Sequence, residues 1–162
     1  MLNLFIKLFG IYKLLNEIWE FDVVLTNKSI VLKFEETKSE DLSASLNFDV
    51  FLDFEHITLS KKFKTEKDLV FDLASLFIMF AYPFRYPGFG SEVLKQSNQN
   101  LIKEQLGEYA MNNSLYEILI GSLELEDSMR FSFSNIFDCL GLLDNFNGLD
   151  HLNAHIAFIK RQ

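Results

Sequence analysis

The chain has 162 residues, of which 49% are hydrophobic and 23% charged, with a net charge of −8. This composition predicts one globular domain over residues 1–162 and excludes a disordered polypeptide. The lone Cys139 excludes an intrachain disulfide, and the acidic balance argues against a face that grips nucleic-acid phosphates.

Residues 1–21 are strongly apolar, but Asn3, Lys7, Lys13, Asn16, Glu17 and Glu20 interrupt them every three or four positions. That spacing predicts a helix with a thin polar stripe, with a membrane-surface helix as the alternative. A transmembrane span needs about twenty nearly uncharged residues, and a signal peptide needs a small-residue cleavage site. Neither pattern is present, so the expectation is a cytoplasmic protein without stable membrane insertion.

The period then changes from helical to alternating. Residues 21–25 and 30–34 are β-rich runs around Thr26-Asn27-Lys28-Ser29, which reads as a hairpin turn. Residues 35–41 form a charged connection. Leu42, Ala44, Leu46, Phe48, Val50, Leu52 and Phe54 then alternate with polar residues, Phe51 excepted, and predict a strand with one buried face. Ile57, Leu59 and Phe63 suit a partner strand. Together these runs predict an antiparallel meander of three to four strands.

Thr65-Glu66-Lys67-Asp68 has the hydroxyl and the carboxylate of a helix start. Residues 69–82 carry only Asp72 and Ser75 as polar positions, which predicts a buried helix lying across the sheet. Pro83 ends it, and 84–90 form a loop rich in aromatic residues. A polar helix follows from Ser91, with Leu101, Ile102, Leu106, Tyr109 and Ala110 as its apolar stripe.

In the last third, Ser114 to Glu117 resembles another capping box, opening a helix to Ile120. Alternation over Leu123–Glu126 and Met129–Phe133 predicts a second hairpin turning at Asp127-Ser128. Ser134 is placed as the cap of a helix to about Phe146, and Leu149, Leu152, Ile156 and Ile159 give a final one. The expected class is α+β: a helix, a meander, then a mainly helical half packed on the sheet.

Catalytic signals are weak throughout. His151 and His155 are four apart, but no zinc-protease glutamate follows the first, so no metal site and no cofactor are expected. His56 reads as a turn residue at a strand end. The pairs Asp49/Asp53 and Glu124/Glu126 share strand faces, yet they alternate with core positions and are expected on the solvent side. Cys139 lies in an apolar run and is expected in the core. Gly88-Phe89-Gly90 is too short a glycine pattern for a phosphate cradle.

The distribution of charge is more informative. Between Glu104 and Ile159 there are nine carboxylates and one cation, Arg130, a balance equal to that of the whole chain. Such a field steers association with a basic protein. Arg85, Tyr86 and Phe89 in the loop are residue types that anchor interfaces. In its small size, acidity, Phe/Asn/Lys-rich composition and lack of catalytic residues, the chain resembles the immunity proteins of bacterial toxin systems of the contact-dependent growth inhibition type. That resemblance implies a cytoplasmic, non-enzymatic protein that neutralises a basic toxin, most naturally a nuclease, by covering its active site or substrate surface. Glu117, Glu124, Glu126, Asp127, Asp138, Asp144 and Asp150 are then the candidate contacts, beside Arg85, Tyr86 and Phe89. The alternative is a small-molecule binder or unrecognised enzyme with an apolar cavity near Asp72, a carboxylate for which Arg85 is the expected partner.

Overall fold

A computed structural model describes residues 2–18, 22–34, 48–60, 64–81, 113–141, 157 and 161. Among the described residues there are four α-helices and four short strands. In chain order these are α1 (Leu2–Ile18), β1 (Asp22–Val24), β2 (Ile30–Phe34), β3 (Phe48–Leu52), β4 (Thr58–Ser60), α2 (Glu66–Ala81), α3 (Asn113–Ser122) and α4 (Phe133–Gly141). The class is α+β, as expected. The predicted loop at 84–90, the polar helix from Ser91 and the final helix lie outside the described residues, apart from Ala157.

The apolar run of α1 is core. Phe5, Ile6, Leu8, Phe9, Ile11 and Tyr12 are fully or almost fully buried. Of its polar stripe, Asn3, Lys7 and Lys13 are half-buried and Glu17 is exposed. Lys7 pairs with Asp49 at 3.1 Å and lies 5.0 Å from the Phe48 ring centre, and Lys13 pairs with Glu17 at 3.2 Å. The Lys7 contacts place α1 against β3 on one side, while α2 packs on another. Phe5 meets Phe77 of α2 edge-on at 5.4 Å, and Phe9 meets Phe133 of α4 at 5.6 Å. Burying one side chain of this size contributes about 1.5–3 kcal/mol, so the aromatic cluster is a principal source of stability.

Helix α2 starts as its sequence predicts. The Asp68 amide donates to Thr65 Oγ1 at 3.2 Å, and the Thr65 amide donates back to Asp68 Oδ2 at 3.0 Å. The reciprocal pair satisfies two of the donors a helix start leaves open. Buried Ser75 returns its hydroxyl to Phe71 O at 2.7 Å. The packing partners of α2 are α1, α3 and α4. Among the described elements α2 packs chiefly on α1, which in turn meets β3, and the expected placement of α2 across the sheet is not confirmed.

The expected meander of three to four strands is not confirmed among the described residues. Strand β1 pairs with β4 and β2 with β3, both antiparallel. The register is common to both ladders: Val24 faces Thr58, Ile30 faces Leu52, and residues 25–29 lie opposite 53–57 between them. The described strands thus form one interrupted two-stranded ribbon, and Thr26–Ser29 is a kink within an arm, not a hairpin turn. Ser29, fully buried, ties the interruption together. Its carbonyl accepts the Asp53 amide at 2.9 Å and its hydroxyl donates to His56 O at 2.8 Å.

Within β3 the alternation holds, with Val50 buried and Phe48 and Leu52 packed against the core. It stops before Phe54, which is 67% exposed. Asp53 caps a short 3-10 turn, Phe54–His56, by accepting the Glu55 amide at 3.0 Å, and that turn ends the strand. Residues 35–47, which include the predicted start of this strand, lie outside the described residues.

Candidate recognition surface

The second predicted hairpin does not form. Residues 123–132 connect α3 to α4 by turns, with Leu125 and Met129 exposed instead of lining a buried face. The cause is Arg130, whose side chain is buried beneath the connection. Its Nε donates to Glu124 O at 2.7 Å and its Nη2 to Leu125 O at 3.1 Å. Its Nη1 donates to Lys67 O at 3.4 Å and pairs with Asp127 Oδ1 at 2.6 Å and Asp68 Oδ1 at 3.4 Å. The guanidinium also lies 4.9 Å from the centre of the Phe71 ring. A planar group with five donors holds two carbonyls that a ladder would otherwise engage, and the backbone wraps round it.

The first turn of α2 supplies the rest of the dock. Glu66 Oε1 accepts the Phe133 amide at 2.5 Å, and Lys67 Nζ donates to Asp127 O at 2.5 Å and Ser128 O at 3.4 Å. Glu66, Lys67 and Asp68 therefore each bind the connection through a different group. Helix α4 is capped by Ser132, not by the predicted Ser134. The Asn135 amide donates to Ser132 Oγ at 3.3 Å, and Asn135 Oδ1 accepts the Ser132 amide at 2.9 Å. At the other end, the Phe131 amide donates to Gly121 O at 2.9 Å. A Cβ on Gly121 would come within 2.4 Å of the Phe131 ring, so only glycine permits that approach.

The structure separates the described candidate carboxylates into two groups. Glu126 and Asp127 are exposed on the connection with half-buried Glu124 beside them. Asp127 is partly neutralised by Arg130, and Lys67 adds a second cation, so counter-ions remote or sparse in the sequence are local in space. Glu117 on α3 and Asp138 on α4 are exposed and flank Cys139. Burial, then Glu117, then Asp138 push the half-buried Cys139 thiol above its ordinary value. Asp144, Asp150, Arg85, Tyr86 and Phe89 lie outside the described residues, as do His151 and His155.

The remaining candidates have structural partners. Asp49 pairs with Lys7 and Asp53 with His56 Nδ1 at 2.9 Å, so each carboxylate has a partner of its own. His56, then the Glu55 amide, hold the Asp53 carboxyl below its usual range. Ser29, His56 and Asp53 are the residue types of a hydrolase triad, but the Ser29 hydroxyl is buried and donates to the His56 carbonyl, not to its ring. Asp72 is bound by Lys64, and Arg85, the partner expected from the sequence, lies outside the described residues. Fully buried Tyr12 has its phenol pushed up by burial and then by Asp72. Among the described residues no group of His, Cys, Asp and Glu is arranged to hold a metal ion, and no helix is long and apolar enough to cross a membrane.

Sequence reasoning missed the roles of Arg130, Lys67, Leu125 and Met129. The signal for Arg130 was present: a single cation in an acidic third is the natural centre for its neighbours. Lys67 joins through a contact sixty positions away and left no local trace. No protein-family model matches the chain, and neither a curated protein nor a solved structure gives a significant match.

Proposed function

We propose that this protein is an acidic interaction protein that binds and neutralises a basic partner. The partner class it suits best is a cognate nuclease-type toxin, whose active site or substrate surface it covers in the cytoplasm, as an immunity protein does. On this reading the chain contributes a surface and no catalysis.

The observation that carries the proposal is the display of carboxylates on fixed elements. Glu117 and Asp138 stand on helices, and Glu126 and Asp127 on a connection tied down by Arg130 and Lys67. A surface already ordered loses little conformational entropy on binding, and a positive nucleic-acid site is its electrostatic complement. The alternative of a ligand cavity near Asp72 loses its motivation, since Lys64 satisfies that carboxylate.

Reversing the exposed charges tests the proposal. Tagged full-length protein should recover a basic partner from its own cell and suppress that partner's nuclease activity. The triple change Glu117→Lys, Glu126→Lys and Asp138→Lys should weaken the complex about 10–100-fold and restore the activity. Full affinity after the triple reversal would show that the acidic surface does not make the contact.

A further inference from the structure

The connection between α3 and α4 combines two properties: its backbone is fixed and its apolar side chains face water. Leu125 is 43% and Met129 66% exposed. They flank one hydrogen-bonded turn, in which the Met129 and Arg130 amides donate to Glu126 O at 3.0 and 3.1 Å. One exposed leucine is ordinary. An apolar pair on a braced turn, bordered by Glu124, Glu126 and Asp127, has the make-up of an interface anchor with a polar rim.

We propose that Leu125 and Met129 are the apolar anchors of the recognition surface and enter an apolar pocket on the partner bordered by lysine or arginine. This rests on the reading of the protein as a binder of basic partners and adds where, and through which chemistry, the contact is centred. Charge complementarity selects the occupant. The bordering carboxylates disfavour an acidic protein, and a second copy of this chain, also at −8, would repel. Arg130, at the end of the turn, ties it back to its beginning by holding Glu124 O and Leu125 O, so the anchors are presented before the partner arrives.

Two synthetic peptides of equal charge and length, one alternating Arg with Leu and the other Arg with Ser, test the assignment by NMR titration of the full-length protein. The Arg/Leu peptide is expected to bind about tenfold more tightly and to shift the Leu125 and Met129 amides. The double variant Leu125→Ser, Met129→Ser should erase that preference while retaining the Arg/Ser affinity. Both positions are exposed, and an unchanged far-ultraviolet circular dichroism spectrum verifies the fold. Equal affinities for the two peptides, a preference that survives in the double variant, or no binding would overturn the anchors. Salt-sensitive binding without preference removes only the anchors. Binding of both peptides that ignores salt contradicts the acidic-surface reading itself.

Discussion

Cys139 shows how the acidic field acts on one residue. Its thiol is half-buried, and burial, Glu117 and Asp138 all raise its pKa, so less thiolate exists at neutral pH than for an ordinary cysteine. Alkylation by iodoacetamide near pH 7 should therefore be slower than for a model thiol and should accelerate as pH rises. Glu117→Gln removes one of the raising charges and should increase the rate at fixed pH. A rate equal to the model thiol's, or a variant slower than the parent, would contradict the assigned field. Asp53 is the opposite case: His56 and the Glu55 amide favour its charged form, and its carboxyl is held low.

At the scale of elements, the α3–α4 connection depends on Arg130. Replacing it with Met removes the hydrogen bonds from the guanidinium to Glu124 O and Leu125 O and the cation beside Asp68 and Asp127. The expected cost is about 2–3 kcal/mol in urea unfolding, discounted for the exposure of both carboxylates, with faster hydrogen exchange at the Phe131 amide. Arg130→Lys should recover little of it, because an ammonium cannot reproduce the planar fork. A loss below about 0.5 kcal/mol would mean that the connection holds its shape without the guanidinium.

The same element shows which parts of the fold were legible in the sequence. Helix α2 could be read because its signals are local: Thr65 and Asp68 cap it, and the apolar run continues to Ala81. The inner face of β3 could be read from alternation at Phe48, Val50 and Leu52. The pairing of β3 with β2 agrees with the expected succession of antiparallel strands, whereas the pairing of β1 with β4 could not be read, since alternation specifies a face and not a neighbour. The β1–β4 pair joins residues far apart in the chain, and buried Ser29 gives no cue that it secures the kink. At 123–133 alternation misled, because Leu123 and Phe133 enter the core from the helix ends while Leu125 and Met129 between them are exposed, and a helix distant in sequence supplies the brace. Of the candidate site, exposure on ordered elements was predictable for Glu117, Glu126, Asp127 and Asp138. Their division into two groups, and the local cations, depend on the tertiary fold.

Across the whole molecule, one buried core unites the four helices and the ribbon, with α1 between α2 and β3. Core and charge are segregated: the aromatic residues of α1, α2 and α4 carry stability, whereas α3, α4 and their connection carry exposed carboxylates. That segregation makes the surface separable from the fold, so charge reversal at exposed positions tests recognition without testing folding. The salt dependence of affinity for the basic partner recovered from the protein's own cell addresses this most directly. Raising NaCl from about 50 to about 300 mM should weaken the wild-type complex by about tenfold or more, mainly through a slower association rate. An affinity and association rate unchanged over that range would contradict recognition through the acidic surface.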